Sequence, residues 1–161
     1  MSSRRKDFLH AAAGLSLALP LATRPAFAQG GGDRALIEQA IALELKLVAA
    51  YGRARGFDDA EPFRRHCLKH VRGLSELLRN RGGRPPAPRA STGQPQRPEA
   101  LLGFEAEAVA GLYRAHGELH DADLLPIFAS IMANHAQHQV VLRQQLGREP
   151  ASLAFETGAV E

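Results

Sequence analysis

Residues 132–139 read Met132-Ala133-Asn134-His135-Ala136-Gln137-His138-Gln139. They lie within 124–146, where Phe128, Ile131, Leu142 and Leu146 recur at three- and four-residue intervals or their sums, as one face of an α-helix requires. At about 100° per residue, His135 falls near the middle of that apolar face and His138 just inside its edge. Two imidazoles one turn apart and pointing into a core need either a metal ion or a set of hydrogen bonds. The choice between these turns on what the other helices bring to the same depth.

Three further amphipathic segments can be read outward from this one. Asp33 is placed to cap a first helix running to about Arg55 and stopped by Gly56, with Leu36, Ile37, Ala40, Leu43, Leu47, Val48, Ala50 and Tyr51 on its apolar face. Glu44 lies close to the centre of that face and Glu38 opposite it. A buried carboxylate is costly without a cation or a donor, so Glu44 demands a partner. A second helix is expected to run from the caps Asp58 and Asp59 to about Asn80, with Gly82-Gly83 beyond it. Its apolar face, Phe63, Cys67, Val71, Leu74, Leu77 and Leu78, also carries His70; His66 falls at the margin and reads as surface, and Arg65, Lys69 and Glu76 face out.

Residues 81–98 hold five prolines and no apolar periodicity, which predicts an extended loop. Fully stretched, it would reach roughly 60 Å, about twice the length of the flanking helices. The third helix, about 99–119, places Leu101, Leu102, Phe104, Ala108, Val109, Leu112 and Tyr113 on one side, with Glu105 central, Glu107 opposite and His116 far along. Asp123 is the expected N-cap of the fourth helix, Pro126 sits in its first turn and Gly147 ends it. The fold class predicted is all-α: an antiparallel four-helix bundle with a long crossover between helices two and three.

Each helix thus offers a polar group at mid-face: Glu44, His70 with Cys67 one turn before it, Glu105, and His135 with His138. The order carboxylate, x-x-His, long connection, carboxylate, x-x-His is the sequence form of a pseudo-twofold bundle with a metal site at its centre. Glu44, His70, Glu105, His135 and His138 are the candidate metal ligands. Two carboxylates and three imidazoles suit Fe, Zn, Mn or Cu and argue against a Ca or Mg cage. Cys67 is either a thiolate ligand, which would favour Zn or Cu(I), or a small buried residue. As a lone cysteine it forms no internal disulfide.

The chain resembles the ferritin-like superfamily, in particular small exported bacterial ferritin-like domains, over about 33–147. The matching motifs are Glu44-Leu45-Lys46-Leu47-Val48 with Tyr51, and Glu105-Ala106-Glu107-Ala108-Val109 with Tyr113. The resemblance implies Glu44 and Glu105 as lone carboxylate ligands and His70 and His138 as the histidines of two x-x-His motifs. Where di-iron members have Glu-x-x-His twice, this chain has Cys67-x-x-His70 and His135-x-x-His138, so both bridging-type carboxylates are missing. Glu44 and Glu105 offset only half the charge of two divalent ions, and a single ion, or a pair bridged by hydroxide, fits that charge better.

The first residues read as a leader. Arg4-Arg5-Lys6-Asp7-Phe8-Leu9, an apolar run over 11–22 and Ala26-Phe27-Ala28 match a secretory signal peptide over 1–28, cut after Ala28 and similar to the twin-arginine type. The apolar run is too short for a stable membrane anchor. Periplasmic or secreted localisation is expected, and twin-arginine export, which carries folded and often cofactor-loaded proteins, agrees with a bound metal. Of 20 basic and 17 acidic residues, Arg4, Arg5, Lys6, Arg24 and Asp7 lie in the leader, leaving 16 of each in 29–161. That balance supplies no basic patch for nucleic acid. About 133 residues suffice for one domain and one core, and a homo-oligomer stays open.

Two functions fit these observations. One is an exported metal-binding protein with oxidase or peroxide-related chemistry at its centre. The other is a non-catalytic binding or accessory module whose buried glutamates and histidines satisfy one another without a metal.

Overall fold

The structure, a computed structural model, describes residues 26–88 and 92–150, with side chains from 32 onward. Most of the expected leader (1–25) and the tail from 151 lie outside the described residues. Among those described are four α-helices, α1 (Ala26–Tyr51), α2 (Ala60–Asn80), α3 (Pro98–Glu118) and α4 (Leu125–Gln145), with a 3-10 turn over Ala122–Leu124 leading into α4. They contain no strand, only a single bridge between Ala54 and Gln96. No helix among them is long and apolar enough to cross a membrane. The principal packings are α1 on α2, α3 on α4 and α1 on α3. The molecule is a helical bundle.

Glycine ends two of these helices as the sequence indicates. The N–H of Gly82 donates to Arg79 O at 2.9 Å and that of Gly83 to Leu78 O at 2.9 Å, with Gly82 at φ +74°. Gly147, at φ +65°, and Arg148 repeat the pattern onto Gln144 O and Arg143 O. This closure satisfies carbonyls that a helix end would otherwise leave open and needs the left-handed backbone that glycine adopts without strain.

The start of the bundle departs from the sequence expectation. α1 begins at Ala26 rather than at a cap on Asp33, and it passes through Gly30–Gly32, which reads in sequence as a join. It also ends at Tyr51, short of Arg55. Asp33 is buried within α1, and its carboxylate accepts from the backbone N–H of His120 at 3.0 Å and of Asp121 at 2.9 Å. Asp33 therefore ties α1 to the α3–α4 connection, a role set by a residue 87 positions away. At that connection Asp121, not Asp123, is the capping side chain: it accepts from Asp123 N at 3.0 Å and from Arg81 at 2.5 Å.

The proline-rich connection is held at its far end. Gln96 exchanges backbone hydrogen bonds with Arg53 and Arg55 at 2.9 and 2.8 Å, beside the end of α1. At its near end, Arg81 meets Asp121 and Gly82 approaches the side chain of Arg34, in the N-terminal half of α1. Arg34 and Arg53 are about 28 Å apart along a helix, so the connection spans the length of the bundle.

Two apolar layers fill the interior. One joins Ile37, Ile41, Leu74, Leu78, Leu112, Phe128 and Ile131. The other joins Leu47, Tyr51, Phe63, Cys67, Leu101, Leu102 and Leu142. On α1, α2 and α4 the polar candidates fall between these sets, and on α3 Glu105 falls between Leu102 and Ala108 of the second, which places the site as a layer within the bundle. Asp33→Ala is expected to lower unfolding free energy by roughly 1–3 kcal/mol, because two backbone N–H groups lose their acceptor. A urea melt that leaves the midpoint unmoved would show that this tie contributes nothing.

Candidate metal centre

The four helices bring all five sequence-predicted candidates to this layer. Glu44 is 1 % exposed, Glu105 and His135 0 % and His138 2 %, while His70 is half-buried. Glu38, Glu76, Glu107, Arg65 and Lys69 face solvent. The arrangement is not one common point. It is two triads that share His135: Glu44, His70 and His135, and Glu105, His135 and His138, with the ligand atoms of each triad within 4.8 Å of one another.

His135 stands between the carboxylates. Its Nε2 lies 2.8 Å from Glu44 Oε1 and its Nδ1 2.7 Å from Glu105 Oε2. An ionised carboxylate only accepts, so both ring nitrogens donate and the hydrogen-bonded ring is an imidazolium. Burial alone pushes His135 down, but the hydrogen bonds to Glu105 and Glu44 override it and raise the group from 6.5 to about 10. Burial pushes Glu105 up, and the bonds from His135 and His138 reverse this and hold it at about 2. Glu44 follows the same pattern: burial raises it, His135 and His70 outweigh burial, and the net shift is downward.

The network continues outward on both sides. His70 Nδ1 lies 3.1 Å from Glu44 Oε1, and His138 Nδ1 lies 3.0 Å from Glu105 Oε1. The Tyr51 hydroxyl also donates to Glu105 Oε1. Phe63 stacks on His138 with ring centres 3.8 Å apart and planes at 12°, fixing the orientation of that imidazole. Burial, then the Glu44 and Glu105 charges and a hydrogen bond to Glu44, push the Cys67 thiol far above its ordinary range. Cys67 belongs with the apolar layer as a protonated thiol.

His66 corrects the sequence reading. It is half-buried rather than surface, and its Nδ1 lies 3.0 Å from His138 Nε2 with the two rings nearly parallel, at 14°. Burial and then the neighbouring His138 push His66 downward. Its place at the margin of the α2 face puts it over the seam with α4, where a margin residue meets a partner. The phase of Tyr51 against Tyr113 is a second correction. Tyr51 is buried and bonded into the site, whereas Tyr113 is 59 % exposed. The first follows its glutamate by seven residues and the second by eight; on a helix the extra residue turns the side chain by about 100°.

Comparison of the chain with family models, with curated proteins and with solved structures finds no match. The reading of the site therefore rests on its own chemistry. Three atoms bear on that chemistry: Glu44 Oε2 is buried with no hydrogen-bond partner among the described residues, as are both polar atoms of the Gln139 side chain. A buried carboxylate oxygen without a partner has room to accept from a donor or to meet a cation.

The two opposed shifts fix a pH window for chelator-treated protein. Glu105 contributes stability that is present above 4.5 and lost as pH falls toward about 2. His135 contributes stability that is complete below 6.5 and lost as pH rises toward about 10. The urea midpoint should be highest between these ordinary values and fall on both sides, and His135→Gln should flatten the alkaline limb. A midpoint that climbs steadily from pH 6.5 to pH 10 would contradict the imidazolium.

Proposed function

We propose that this chain is an exported, ferritin-like metal-binding protein whose centre is the Glu44, His70, Glu105, His135 and His138 layer. The observation that carries the reading is that each of the four helices aims a ligand-type side chain at one buried layer, where a carboxylate oxygen has no partner. The apolar layers above and below, and a connection 81–98 spanning the bundle, support an antiparallel arrangement with helices two and three parallel. The Arg4-Arg5 pair and Ala26-Phe27-Ala28 support export to the periplasm by the twin-arginine route, with cleavage after Ala28.

The donor set fits a transition ion. Each triad supplies one carboxylate and two imidazoles, which is three protein ligands and leaves a position open, as catalytic rather than closed structural sites do. Around an ion at 2.0–2.2 Å, ligand atoms would sit about 3.4 Å apart, so triads already within 4.8 Å need only a modest contraction. Tyr51 and His66 hold ligand side chains from behind, the hydroxyl on Glu105 and the imidazole on His138. His70 lines a groove of about 390 Å³ between α2 and α4, with Lys69, Gly73, Pro126, Ile127 and Ser130, which gives small solutes a way in. Iron, manganese or copper held there would supply oxidase or peroxide-related redox chemistry, and zinc would supply a Lewis acid.

A second reading has its own observation. Both nitrogens of His135 already face carboxylates, so the layer can stand without a metal as a hydrogen-bond network in a non-catalytic accessory module. Thermal melts separate the two. Metal at a hundredfold over its Kd stabilises by about 2.7 kcal/mol, which for a domain of this size is a rise in Tm of roughly 10 °C over chelator-treated protein. Glu44→Ala and His135→Ala should lose that rise. A melt indifferent to chelator and to added Fe, Zn, Mn and Cu would leave the network as the function of the layer.

A further inference from the structure

The two triads have one residue in common, and they use opposite sides of it. His135 turns Nε2 toward Glu44 and His70, and Nδ1 toward Glu105 and His138. The lone pairs of the two ring nitrogens lie in the ring plane and diverge, so a single ion bonded to one is out of reach of the other. One ion would therefore leave the opposite carboxylate and its imidazole without a cation. We infer that the layer is a binuclear centre in which His135, as an imidazolate, bridges two divalent transition-metal ions, one held by Glu44 and His70 and the other by Glu105 and His138. This rests on the metal-binding reading above and deepens it.

Three features of the layer agree with a bridge. The donor sets on the two sides match in kind, one carboxylate and one further imidazole each beside the shared His135. The charge also improves. Two divalent ions bring four positive charges, the glutamates answer two, and an imidazolate supplies a third from a residue already at the centre. This addresses the shortfall left by the missing bridging carboxylates without a hydroxide. Finally, the partners behind the ligands suit the bound form: with His138 Nδ1 on an ion, its Nε2–H donates to His66 Nδ1, 3.0 Å away, and Tyr51 keeps its bond to Glu105.

The exchange balances simply. The imidazolium of His135 loses its two N–H protons to buffer, and a metal–nitrogen bond replaces each. No electron is transferred.

Copper(II) is the probe. The full folded chain, stripped with chelator, is titrated with Cu(II), desalted, and read by metal analysis and low-temperature electron paramagnetic resonance. Two ions per chain are expected, with the resonance of isolated Cu(II) growing over the first equivalent and falling over the second, because an imidazolate couples the paired spins antiferromagnetically. His70→Ala and His138→Ala each weaken one half only; each should retain one tightly held ion with an uncoupled signal. These variants keep the test open if His135→Ala fails to fold. One ion per chain in the wild type, or two ions whose signals simply add, overturns the bridge and leaves the metal-binding reading standing. No bound ion overturns both.

Discussion

The interaction on which the rest depends is a single imidazole held between two buried carboxylates. Glu44 and Glu105 come from α1 and α3, which pack against each other, and His135 from α4 reaches both. Without a cation between them, two carboxylates at 1 % and 0 % exposure would repel in a medium that screens weakly. The charge of His135 removes that penalty. His135 thereby couples α4 to the α1–α3 pairing, and of the possible helix rotations only one brings these groups together. The polar layer selects among them, because rotating any helix by one residue takes its ligand-type side chain about 100° away from its partners.

The same constraint explains the distribution of apolar residues. Large side chains stack above and below the layer, with Phe128, Leu78 and Leu112 on one side and Leu142, Leu102 and Phe63 on the other. They exclude water from a network in which every hydrogen bond gains strength as the surroundings become less polar. Only α2 opens it. Phe63, Cys67, Leu74, Ser75 and Leu78 are the buried positions of that helix, and His66 and His70 lie half-buried at the edge of its covered face. Exchange with solvent is thereby restricted to two imidazoles on successive turns of one helix.

Much of this was legible in the sequence because helical phase is a local property. A step of about 100° per residue separates Glu44 from Glu38 and Glu105 from Glu107, and in both pairs the inward member is the one that the apolar neighbours indicate. The glycines at 82 and 147 likewise mark helix ends through a backbone requirement of their own residue. What sequence did not carry depends on distant partners. Asp33 has the composition of an N-cap, yet its acceptor role is set by the backbone of His120 and Asp121. His66 sits at a margin, where periodicity gives neither inside nor outside; the position of α4 decides it. Tyr113 was misphased for a different reason, because matching it to Tyr51 overlooked the one-residue difference in spacing from the glutamates.

The charge of the layer depends on what stands at 67 and 135. Glu-x-x-His motifs ending at His70 and His138 would carry glutamate at these positions, where this chain has Cys67 and His135. A glutamate at 67 would add a third negative charge beside Glu44, within an apolar layer that instead holds a protonated thiol. A glutamate at 135 would place three carboxylates in contact with no imidazole between them. Histidine rather than glutamate at 135 makes the central group an imidazolium, which offsets one of the two carboxylate charges from within the layer. A site with four carboxylates must recruit cations to be stable. This one sets an imidazole between its own two glutamates, so part of their charge is met within the fold.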